Sequence, residues 1–111
     1  MTHAELSKMF RGTKTSKKLG NNTYAIKNSD GSIAVRLHTT DILTFNTDNT
    51  ITVKTGGWHT VTTKARINEY LPANYIYQKN YGWFWKDGTV FNEGDTVDVG
   101  TGEVLTVAVP Y

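Results

Sequence analysis

The chain contains no cysteine. That excludes a disulfide framework, a thiolate metal site and a thiol nucleophile, and it suits a reducing compartment. Apolar residues never run on for the roughly 18–20 positions that span a bilayer. The opening segment MTHAELSKMFRGTK lacks the apolar stretch of a secretory leader. A soluble intracellular protein with no membrane partner is therefore expected. Serine is scarce: Ser7, Ser16, Ser29 and Ser32 are all there are, and none stands in G-x-S-x-G. Neither G-x-x-x-x-G-K-[ST] nor a G-x-G-x-x-G between strand and helix occurs. No repeat of fixed period and no low-complexity segment interrupts the chain.

What remains is 111 residues with 18 threonines. The length is that of one domain with its own core. β-branched threonine suits a pleated surface better than a helix. The formal net charge is +2, but residues 1–66 hold ten Lys/Arg against four Asp/Glu, and residues 67–111 hold two against six. A basic front and an acidic back can attract polyanions with one part and repel them with the other.

Met1 to Phe10 reads as a short helix. Thr2 and Glu5 form a capping box, and Met1 and Leu6 are placed as a hydrophobic staple. RGTKTSKK follows as an extended basic loop, so residues 1–22 are expected as a helix and arm, and 23–111 as one mainly-β domain. From Tyr24 short strands alternate with turn signals: TYAIK, then SIAVRLH with Ile33, Val35 and Leu37 on one face, then DILTF and TITVK. Two hairpins or a four-stranded meander is the outcome. GGWHTVTTKARINEYLP then describes a strand end, a glycine break, a helix near 60–71 and a stop at Pro72. Val61, Ala65 and Asn68 lie on one helix stripe; Ile67, Tyr70 and Leu71 lie on the next. Trp58 is expected beneath the helix as its anchor. NYIYQK, YGWFWK, TVF, TVDV and EVLTVAV follow as strands. The fold class is α+β, mainly antiparallel sheet.

Several residues here match a known pattern: LGNNT over Leu19–Thr23, DGSIAVRLHTTDI over Asp30–Ile42, and GGWHTVTTKARINEYLP over Gly56–Pro72. They resemble a family of small uncharacterised proteins of bacteriophages and related mobile elements, over about half the chain. The aromatic segment 81–91 is similar to the family's looser C-terminal part, residues 1–18 lie outside the likeness, and NTDN departs from the usual D-G turn. The resemblance implies viral origin and the cytoplasm of an infected bacterium. It brings no catalytic residue with it.

Candidate chemistry is thin. His38, Asp41 and His59 could hold a metal only if the fold gathers them, and no metal or other cofactor is assigned. Asp87, Glu93, Asp95 and Asp98 stand beside glycines as turn residues do, and they do not fit a calcium loop. No catalytic residue is named. The reading adopted is a phage accessory protein, not an enzyme, that binds a host or phage protein, or itself, through an aromatic surface with Tyr77, Tyr81, Trp83 and Trp85. The alternative is nucleic-acid binding through Lys8, Arg11, Lys14, Lys17 and Lys18 of the arm, with Lys54, Lys64 and Arg66.

Overall fold

The computed structural model describes residues 1–105. A seven-stranded sheet is built from β1 (Ser16–Gly20), β2 (Thr23–Lys27), β3 (Ile33–Leu37), β4 (Thr40–Phe45), β5 (Thr50–Val53), β8 (Asp95–Asp98) and β9 (Val104–Leu105), in that order. Every pairing in it is antiparallel. Between β5 and β8 the chain leaves the sheet to form α2 (Val61–Tyr70) and a separate hairpin of β6 (Ile76–Lys79) and β7 (Gly82–Trp85). The α+β architecture expected from the alternation pattern is the one observed.

Turn chemistry explains the meander. Asn28–Gly31 closes β2 onto β3, with Asp30 accepting from Ser32 N at 2.9 Å. Asp48 accepts from Thr50 N at 3.2 Å in the β4–β5 turn. Both are side-chain turns that Asp is suited to make. The buried face of the sheet then follows from period two: Ile33, Val35 and Leu37, Leu43 and Phe45, Ile51 and Val53, and Val97. Between β3 and β4 the register shifts, with Val35 opposite Leu43 but Arg36 opposite Asp41. Ile42 is the extra residue of this bulge and is buried as well.

Leu6, Ile67, Leu71, Ile76, Trp83, Trp85 and Phe91 complete the same core. Helix α1 (His3–Ser7) is capped by Thr2, whose Oγ1 accepts from Glu5 N at 3.2 Å, which is the N-cap half of the expected capping box. It is shorter than the expected 1–10. Helix α2 is capped by Thr60, which accepts from Thr63 N at 3.1 Å, and it ends at Leu71 before Pro72. Trp85 Nε1 donates to the buried Asp95 Oδ2 at 2.9 Å and ties the hairpin to β8.

Three expectations need correction, and a fourth is described only in part. Residues 16–18 are not loop: they pair with β2 as an edge strand, where the lysines extend outward. The buried stripe of α2 is Thr63, Ile67 and Leu71, while Val61 is 76% exposed, because the helix turns its i, i+4, i+8 row to the sheet. TVF contributes only one bridge, Val90 to Phe84, since the turn at Lys86–Gly88 consumes the residues needed for pairing. The strand expected over EVLTVAV begins at Val104; its part beyond residue 105 lies outside the described residues.

Candidate functional site

Three surface features carry chemistry-bearing residues. The first is the glycine joint. Gly56 and Gly57 take φ of +64° and +87°, a region that favours glycine. The Glu93 carboxylate clamps this joint. It accepts from Thr55 N at 2.8 Å, from Gly56 N at 3.3 Å and from Thr55 Oγ1. His59 Nε2 stands 3.7 Å from it, and the His59 ring lies on Trp83 with centroids 4.8 Å apart. Burial alone would raise the Glu93 pKa, but the hydrogen bonds from Thr55, Gly56 and His59 outweigh it and hold the carboxyl below its ordinary value. The clamp turns Trp58 outward. Trp58 is 64% exposed and does not anchor α2, because Thr63, Ile67 and Leu71 already fill the space beneath the helix. Instead it walls a cleft of about 400 Å3 with His38, Leu37, Ile42 and threonines from β4 and α2.

The three residues weighed for a metal are not brought together. Asp41 is held by Arg36, Nε to Oδ1 at 2.7 Å, and His59 belongs to Glu93 and Trp83. His38 sits in the β3–β4 turn at φ +56°. Among the described residues no group of three His, Cys, Asp or Glu could hold a metal ion. Asp87 and Asp98 make the turn contacts that their glycine neighbours suggested, to Thr89 N and Gly100 N.

The second feature is the β6–β7 hairpin. Ile76 faces Trp85 and Tyr77 faces Phe84 across it. Trp83 and Trp85 point inward, against Phe91, and are 6% and 0% exposed. They are core residues and not part of an exposed aromatic surface. Alternation showed that they share a face; only packing decides that this face is the inner one. The outward face holds Tyr77 and Phe84, with centroids 5.8 Å apart, and Tyr75 at 6.5 Å from Tyr77. The tip is Asn80–Tyr81, at φ +50° and +67°, and Tyr81 is 98% exposed. Tyr75 and Phe84 were missed as surface candidates, although Phe84 alternates with Trp83 and Trp85 and Tyr75 shares the parity of Tyr77.

The third feature is the basic edge. Arg11, Lys14, Lys17 and Lys18 line one hollow beside β1, with Met9 and Phe10. Among the described residues none of them, nor Lys8, makes an ion pair. The other three basic candidates do not line this hollow. Arg66 donates to Thr23 Oγ1 at 3.2 Å and pairs with Glu69 at 3.2 Å, and Lys64 lies 3.5 Å from Gln78 Oε1. Lys54 follows β5, four strands away from β1 in the sheet.

Among the described residues no helix is long and apolar enough to cross a membrane. No curated protein and no solved structure matches the chain. A family model does, the Kyanoviridae Gp96 protein, over residues 3–101. That span takes in α1, α2, the hairpin and all strands but β9 among the described residues. The resemblance to small phage proteins holds at the level of the family: the chain belongs to the Kyanoviridae Gp96 protein family of phage proteins.

Proposed function

We propose that the chain is a non-enzymatic phage accessory protein that acts by binding another protein through the outward face of the β6–β7 hairpin. Tyr81 carries this reading. A two-residue hairpin loop with both φ positive favours Asn-Gly, and here the second position holds a tyrosine. That conformation costs an L residue about 1–2 kcal/mol. Tyr81 offsets none of it within its own fold, since its side chain is almost wholly in solvent. A strained, exposed aromatic at a rigid tip is suited to enter a partner's pocket, and tyrosine is among the residues that dominate interface energetics. Tyr75, Tyr77 and Phe84 extend the contact along the hairpin.

The test uses the full chain as bait in lysate of infected host cells, with Tyr81→Ala and a Tyr77→Ser/Phe84→Ser double variant beside it. A protein retained by the wild type and lost from both variants supports the reading. Retention unchanged by both overturns it. Sedimentation of the purified chain and its variants reports self-association through the same face.

The cluster at the β1 edge favours a second reading, nucleic-acid binding. Four cations around one hollow with no carboxylate partner suit neutralisation of phosphates. A Lys14→Ala/Lys17→Ala/Lys18→Ala variant is the proper probe, because Leu6 and β1 are built into the fold and deleting residues 1–18 would damage it. DNA affinity that falls steeply with salt, and with a shallower slope in the variant, supports this reading. Salt-independent binding, or none, removes it.

A further inference from the structure

The cleft beside Trp58 has features that neither reading uses. Its floor is apolar, Leu37 and Ile42. Its rim is hydroxylic, and the lining contains no Asp, Glu, Lys, Arg, Asn or Gln. Among the described residues the hydroxyls of Thr60 and Thr63 are tied to one another and that of Thr55 to Glu93, whereas those of Thr39, Thr40 and Thr62 have no partner. Trp58 stands at the mouth with its indole in solvent, on a loop held by the Glu93 clamp, by Trp58 N to Thr55 O at 3.1 Å and by Thr60 N to Trp58 O at 2.9 Å. At about 400 Å3 the cleft falls within the range of about 300–1,000 Å3 typical of small-molecule sites.

The geometry points to a binding site for a saccharide ring, stacked by its apolar face on Trp58 and hydrogen-bonded by the threonine rim. Apart from the His38 imidazole the lining has no ionisable side chain, so recognition rests mainly on hydroxyls and the aromatic wall and not on ion pairing. Hydroxyls both donate and accept, as the hydroxyls of a sugar do. A nucleobase edge is most specifically read by bidentate groups such as carboxamides and guanidinium, and the lining has neither. A preformed aromatic wall loses little on binding, because the loop that carries it is already ordered. The site shares no lining residue with the hollow on the outward face of the hairpin.

Trp58 is the exposed one of the three tryptophans, so intrinsic fluorescence of the full chain reports on it. Titration with maltose, cellobiose, lactose and N-acetylglucosamine is set against adenosine and uridine. The expected result is a saturable spectral change with at least one saccharide in the millimolar range and none with the nucleosides. Calorimetry then follows Trp58→Ala, where affinity falls about tenfold or more, and Thr62→Val, where it falls several-fold. Thr62 is exposed and Trp58 is largely so, and an unchanged near-ultraviolet dichroism from Trp83 and Trp85 verifies that each variant is folded. No saturable response to any of the saccharides, a response to nucleosides alone, or saccharide affinity undiminished in Trp58→Ala would each overturn the assignment.

Discussion

Glu93 shows how one side chain can set the shape of a surface. Its partners lie 37 and 38 residues earlier, so no local pattern announces it. Replacing it with Gln keeps the shape but removes the charge that receives three donors. Since the carboxylate is 45% exposed, a loss of about 1 kcal/mol is expected, less than a buried charged hydrogen bond would bring. The pH dependence has a definite sign. The folded pKa lies below the unfolded one, so the unfolded chain takes up the proton more readily between the two values. The stabilisation is complete above the ordinary glutamate value and is lost as pH falls through the folded one. Asp30 and Asp87 are lowered in the same direction by hydrogen bonds from Ser32 and Thr89. The Glu93 part is therefore read as the difference between wild type and Glu93→Gln in urea unfolding from neutral to acid pH. That difference should shrink as pH falls; a constant one would show that the charge is not what Thr55 and Gly56 require.

The β6–β7 hairpin joins two requirements in one element. Its inner face stabilises the core through Trp85, and its outer face is left free. Trp85→Phe keeps an aromatic ring but removes the indole donor from Asp95 Oδ2, leaving that oxygen only Asn92 N at 2.9 Å. A destabilisation of about 2 kcal/mol or more is expected in thermal or denaturant unfolding, from the lost bond to a buried carboxyl and the lost volume. The tip should respond in the opposite direction. Tyr81→Gly gives the Asn-Gly pair that the loop geometry prefers, and stability should rise by up to about 1 kcal/mol. If Tyr81 is the partner anchor, the same variant binds more weakly while melting higher. A Tyr81→Gly protein that is less stable would show that the tyrosine ring serves the fold after all.

Across the molecule, the basic front and acidic back of the sequence become opposite ends of the sheet order. β1, with Lys17 and Lys18, is one end strand, and β8, with Asp95 and Asp98, lies next to β9 at the other. The polarity is thus spatial at the two ends of the sheet, while the Arg66–Glu69 pair joins the two halves on α2. The first helix is part of this body, since Leu6 is fully buried in the common core. Leu6→Ala should cost about 2–5 kcal/mol, measured by chemical unfolding, as large-to-small changes in a core do. A cost near zero would make the helix an appendage. The lysines of β1 are exposed, so their replacement by alanine should leave stability within about 0.5 kcal/mol and change only the interaction with polyanions.

Local chemistry by itself determined a run of hairpin-forming strands, the Thr2 cap, a threonine cap among Thr60, Thr62 and Thr63, the glycine break and the stop before Pro72. Each of these depends on neighbours within a few positions, through period two, through a capping side chain or through a permitted φ. Alternation also separated Trp83 and Trp85 from Phe84. Only the tertiary structure decided which of those faces is inside, because that depends on Asp95 and Phe91 meeting the hairpin from later in the chain. The same holds for Trp58. A tryptophan before a helix reads as an anchor until Ile67 and Leu71 fill the space and Glu93 turns the loop outward. Ser16–Gly20 became a strand for a similar reason: its composition is that of a loop, and the unpaired edge of β2 supplied hydrogen bonds that composition does not reveal. Contacts between distant segments are set by shape and by competition for space, and these are properties of the assembled fold and not of any stretch within it.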